Sequence, residues 1–119
     1  MLARQILAAA AAQLVLAGAA QATTLYTPPL TRNGGQLFCL VTNASQDAIA
    51  VDIRIMHEDG SYVGGYTANL APSATAYSSS AGDFYDHCEF RFAGNPKKVR
   101  AMACTGPSGG PCYAVAPAY

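Results

Sequence analysis

The chain of 119 residues has no tryptophan and few charges, with Asp, Glu, Lys and Arg together at 12%. Basic residues have no surplus: seven Lys and Arg stand against seven Asp and Glu, and setting Arg4 aside leaves six against seven, a balance of −1. Nucleic acid is not expected as a partner on this ground, because phosphate binding needs a basic stripe. There is no Cys-x-x-Cys, and the spacing of Cys39, Cys88, Cys104 and Cys112 matches no common zinc pattern. No Gly-x-Ser-x-Gly elbow marks a hydrolase nucleophile, and Ser78-Ser79-Ser80 reads as a polar strand end. Met56, His57, His87 and Met102 are available to copper, but no His follows Cys104 or Cys112, as a blue-copper site would require. Beyond residue 22 no apolar run is long enough to cross a bilayer, and no segment keeps a helical period over ten residues. Neither a metal nor another cofactor is expected.

The apolar residues that are present are concentrated at the start. Arg4 supplies a positive beginning, Ile6 to Ala20 an apolar stretch, and Ala20-Gln21-Ala22 a small-x-small cleavage site, so residues 1–22 read as a secretory signal. The stretch is Ala-rich and interrupted by Gln13, short of the ~20 consecutive apolar residues of a membrane span. The mature chain is expected to begin near Thr23, in the bacterial periplasm or outside the cell. No lipobox-like Cys stands at the cleavage point.

Four cysteines in an exported chain of this size point to two disulfides, with three pairings open. Strand facing favours one of them. Cys39 shares a side with Leu37 and Val41, and Cys88 shares one with Phe90 and Phe92, so both point into a core. Cys104 and Cys112 flank Thr105-Gly106-Pro107-Ser108-Gly109-Gly110-Pro111, a loop rich enough in turn residues to bring its ends together.

The remaining chain reads as strands and turns. Thr23 to Gly35, with Pro28-Pro29 and Asn33-Gly34-Gly35, is an arm and a turn in which Leu25 and Tyr26 have room for a short edge strand. Leu37 to Thr42 is a nearly continuous apolar run, as in a strand buried on both faces. Ile49, Val51, Ile53 and Ile55 line one face of the clearest strand, Ala48 to Met56. Asp59-Gly60 is a hairpin turn, Ser61 to Thr67 the returning strand, and Gly64-Gly65 a candidate bulge. After the turn Leu70-Ala71-Pro72-Ser73, Ala74 to Ser80 is a polar, edge-like strand. Tyr85 to Ala93 carries Cys88, Phe90 and Phe92 inward and His87, Glu89 and Arg91 outward, and Lys97 to Thr105 alternates again. Short strands at regular spacing favour an all-β fold: a small antiparallel β-sandwich of immunoglobulin or fibronectin III shape, stapled by disulfides, over residues 36–105. A small barrel is the alternative. Residues 106–119 are expected to be a Gly/Pro loop and a loosely attached tail, because Pro117 interrupts ladder pairing.

Few side chains suggest chemistry. Asp83, Asp86 and Glu89, with Asn95, form the densest group of oxygen ligands, but their spacing matches no calcium loop and a solvated acidic loop is favoured. Glu58-Asp59 and His57 belong to a turn, His87 to a polar strand face. Tyr62, Tyr66, Tyr77, Phe84 and Tyr85 either pack into the core or form an exposed aromatic platform for sugars or peptides, with Tyr62, Tyr66, Tyr77 and Tyr85 as the binding surface. Asn43-Ala44-Ser45 has the form of a glycosylation sequon and is read as a plain turn.

Cys39-Leu40-Val41-Thr42-Asn43, Asp59-Gly60, Leu70-Ala71-Pro72, Cys88-Glu89-Phe90-Arg91-Phe92-Ala93-Gly94 and Val99-Arg100-Ala101 together resemble the pattern of small proteobacterial exported proteins. The resemblance covers residues 36–104 and implies a β-sandwich with a Cys-to-Cys bridge. It carries no activity, and Cys104 and Cys112 are not part of it. The expected function is therefore a non-enzymatic exported module that binds a protein or glycan at the envelope through edge strands and tyrosines. The alternative is an assembly subunit whose arm or tail completes a neighbour's sheet. A metal carrier or hydrolase ranks last.

Overall fold

A computed structural model of the chain describes residues 21–31, 35–81, 85–107, 109–110 and 112–119. The expected signal up to residue 20, the Asn33-Gly34 step, Asp83 and Phe84 lie outside the described residues. Period-two alternation builds eight strands: β1 (Ala22–Tyr26), β2 (Gln36–Asn43), β3 (Ile49–Met56), β4 (Tyr62–Leu70), β5 (Thr75–Ala81), β6 (His87–Ala93), β7 (Val99–Gly106) and β8 (Ala114–Pro117). They form two four-stranded antiparallel sheets, β1-β6-β3-β4 and β5-β2-β7-β8. None of the described residues forms a helix long and apolar enough to cross a membrane.

The core lies between the sheets. Val51, Ile53 and Ile55 of β3 and Phe90 of β6 are buried from the first sheet, and Leu37 and Val41 of β2 meet them from the second. Phe90 stands opposite Leu25 on one side and Ile53 on the other, so three strands meet at one ring. Cys39 and Cys88 are bonded across the core with Cα atoms 5.6 Å apart, and Cys104 is bonded to Cys112. This is the pairing that strand facing favours. The likeness to immunoglobulin domains is one of architecture, because β1 pairs with β6 rather than with β2.

Two local features shape the first sheet. The β3–β4 hairpin turns at Asp59-Gly60, with His57 N–H donating to the Ser61 carbonyl and Gly60 at φ +85°. The register shifts where Ile55 opposes Gly64 and Met56 opposes Tyr62, leaving Val63 as the extra residue of a bulge. Next to it, a Cβ on Gly65 would stand 1.9 Å from the Ile53 carbonyl oxygen, so only glycine lets the strands approach there.

Three expectations need correction. β2 is not buried on both faces: Leu37, Cys39 and Val41 are buried, but Phe38, Leu40 and Thr42 between them are only half-buried. The tail is not loose, since β8 pairs with Met102 to Thr105 of β7. Pro117 fits because Ala118 N–H donates to the Ala101 carbonyl, which turns the ring nitrogen one residue earlier towards the open side of this outermost strand. Finally, two members of the expected acidic loop are not solvated: Asp86 is fully buried and Glu89 is 3% exposed.

The arm is equally well held. β1 pairs along β6, Thr27 N–H donates to the Cys88 carbonyl, and the Thr27 hydroxyl accepts from Cys88 N–H. Tyr26 and Tyr119 exchange both backbone hydrogen bonds, at 3.1 and 3.0 Å, so the end of the tail ties the second sheet to the first along this side. Asn43, at the end of β2, is buried and fully engaged. Its amide donates to the Asp47 and Leu70 carbonyls, and its oxygen accepts from the Ser45 hydroxyl and N–H.

Candidate functional site

The half-buried face of β2 is the floor of an apolar concavity. Alternation sends Phe38 and Leu40 away from the core, and the register sets Leu40 beside Tyr77 of β5 and Met102 of β7, with Phe38 beside Cys104. The Phe38 and Tyr77 rings pack with centroids 6.1 Å apart, tilted by 58°. Cys104 also faces outward, and its bond to Cys112 folds the loop after β7 back over the sheet. Gly110 N–H donates to the Pro107 carbonyl and Tyr113 N–H to the Thr105 carbonyl. The result is a cleft of about 300 Å³ walled by Phe38, Leu40, Tyr77, Pro107 and the disulfide. None of its described lining residues carries a charge or a side-chain amide.

Sequence reasoning reached Tyr77 but not this cleft. The nearly continuous apolar run Leu37 to Thr42 was the available signal, because its outward residues Phe38 and Leu40 need a cover that the rest of the sandwich does not supply. A second concavity of about 290 Å³ lies where Leu25, Val99, Pro117 and Tyr119 meet beside Lys97 and Arg100.

The expected tyrosine surface is not assembled as one platform. Tyr62, Tyr66, Tyr77 and Tyr85 are all exposed, between 47% and 58%, so none belongs to the core. Tyr62 lies on the outer face of the first sheet under the Arg54 guanidinium, 4.9 Å from the ring centre. Tyr66 reaches across the side of the sandwich, and its hydroxyl donates to the Tyr77 carbonyl at 3.0 Å. Tyr77 alone joins the cleft, and Tyr85 precedes β6.

Asp86 and Glu89 are each engaged in a local contact rather than meeting at a site. Asp86 accepts or shares a hydrogen bond with His57 Nδ1 at 2.8 Å, tying the start of β6 to the β3–β4 hairpin. Glu89 accepts from Arg91 Nε, and Asn95 caps the 3₁₀ turn Pro96–Lys98 by accepting from Lys97 N–H. The Ser61 hydroxyl and N–H donate to Asp59, which holds that exposed carboxyl below the usual carboxylate range. His87 Nδ1 is buried without a hydrogen-bond partner. Among the described residues no three His, Cys, Asp or Glu side chains come together as a metal site.

No protein-family model matches this chain, and no curated protein does. Among solved structures, the crystal structure of Thermotoga maritima 1070 is similar, with 11% identity and a TM-score of 0.54 over 81% of this chain and 91% of that one. A likeness at that identity concerns the fold alone.

Proposed function

We propose that the chain is a non-enzymatic, exported β-sandwich module that binds an extended apolar segment of another protein at the bacterial cell envelope. The cleft over β2 carries this reading. Aromatic walls and a proline at the rim favour an extended peptide, whose apolar side chains would fill the space between Phe38 and Tyr77. A glycan would need convergent polar side chains to meet its hydroxyls, and the described lining offers only the Tyr77 phenol. Export is supported by the two disulfides, which fit an oxidising compartment, together with the signal-like start of the sequence and the resemblance to small proteobacterial exported proteins. Donation of the arm or tail to a neighbour's sheet is disfavoured, because both are already spent on β6, β7 and each other.

Selection from a random peptide library on the oxidised protein and on Tyr77→Ala tests the proposal. Apolar, proline- or aromatic-containing peptides are expected to be enriched by the first and lost, by about tenfold in affinity, on the second. Equal enrichment by both proteins overturns the choice of site. Retention of envelope oligosaccharides with no peptide enrichment overturns the choice of ligand.

A further inference from the structure

The two sides of the sandwich are finished differently. On one, β1 and β8 are tied by the Tyr26 and Tyr119 backbone pair. On the other, β4 and β5 are the outermost strands of their sheets. β4 is interrupted by the bulge at Val63, whereas β5 runs through Thr75–Ala81 in unbroken register with β2. Natural edge strands are commonly guarded by a lysine, a proline, a bulge or an inward charge, and β5 has none of these.

Its outward backbone groups can be assigned. Ala74 offers its carbonyl to Asn43 on the β2 side, while the Tyr77 carbonyl is met from the other side by the Tyr66 hydroxyl. Alternation then turns the N–H and C=O groups of Thr75, Tyr77 and Ser79 away from β2, in position for another strand. Tyr66 lies across that edge and occupies one acceptor.

We propose that β5 is a homodimer edge, at which a second copy of this chain adds its own β5 antiparallel, and that Tyr66 is the gate competing for it. The segment is self-complementary. With Ser78 on the two-fold axis, Tyr77 faces Ser79 of the second copy, Thr75 faces Ala81, and no like charges oppose because the strand has no ionisable group apart from the tyrosine. The outward groups of Tyr77 and Ser79 fall opposite one another, as a hydrogen-bonded antiparallel pair requires. Closing the edge costs the bond from Tyr66, which keeps the association weak and reversible.

Sedimentation of the oxidised protein in a concentration series reaching the millimolar range, with amide exchange followed at Tyr77 and Ser79, is the test. The mass is expected to rise from monomer towards dimer while those two amides become protected. Tyr66→Phe keeps the ring and releases the carbonyl, and is expected to lower the midpoint concentration about fivefold. Ser79→Pro, which deletes an outward donor, is expected to leave a monomer with an unchanged strand signature in circular dichroism. A monomer at every concentration in both the native chain and Tyr66→Phe overturns the proposal. So does a dimer in which the Tyr77 and Ser79 amides stay unprotected, or one that survives Ser79→Pro. Peptide capture by the cleft is read on the monomer, so the two proposals fail separately.

Discussion

Asn43 joins three segments through one side chain, with its amide bonded to Asp47 and Leu70 and its oxygen to Ser45. Asn43→Ala strands the Leu70 carbonyl in the core, so the urea midpoint is expected to fall by the equivalent of about 2–3 kcal/mol with an unchanged slope. The sequence exposes this residue only as part of a sequon-like turn. Its main partner is 27 residues away, beyond the reach of any local pattern. Gly65 is a second such residue. Gly65→Ala drives a methyl group into the Ile53 carbonyl and is expected to cost about 2 kcal/mol or more in thermal unfolding, whereas Gly64→Ala, with open space around it, costs under about 1 kcal/mol. Here the sequence did carry the signal, because a Gly-Gly step inside a strand pattern marks a bulge or a close approach. The buried acids were harder to read. An outward position on β6 predicts solvent for Glu89, but Tyr26 and Arg54 stand directly opposite it on the two flanking strands and Arg91 bonds to it.

At the scale of elements, strands and turns follow from alternation and from Gly, Pro and Asn, and β3, β4, β6 and β7 lie close to where those patterns put them. The arm and the tail were less legible, since each is stabilised by a strand far away in sequence. Pro117 argues against a ladder until its outermost position is known. The two disulfides act on different elements and are separable by mutation. Replacing Cys39 and Cys88 together with Ala releases a constraint spanning 49 residues and opens the core between the sheets, at an expected cost of about 2–5 kcal/mol by calorimetry. Replacing Cys104 and Cys112 releases only eight residues, so the fold is expected to lose less. That double variant also lets the loop lift from Phe38, and its expected signature is a loss of peptide capture with a melting temperature closer to that of the native chain.

For the whole molecule, the sandwich was legible because β3, β6 and β7 state their inward faces by alternation. The cleft was not, because Phe38, Leu40, Tyr77, Cys104, Gly106, Pro107, Gly109, Gly110 and Cys112 are brought together only when the second sheet and the second disulfide are formed. Composition carries no basic stripe for nucleic acid, but a binding face built of Phe, Leu, Pro and a disulfide has the same composition as a core. That is why an apolar outward row on one strand is the feature to look for in small sandwiches. The most direct test of the account is an amide chemical-shift map of the oxidised protein titrated with a peptide from the library selection. The account predicts shifts confined to Phe38, Leu40, Tyr77, Cys104, Gly106, Gly109 and Gly110, and their loss in Tyr77→Ala. Shifts centred instead on Tyr62 and Arg54 of the first sheet, or spread evenly over both sheets, would contradict it.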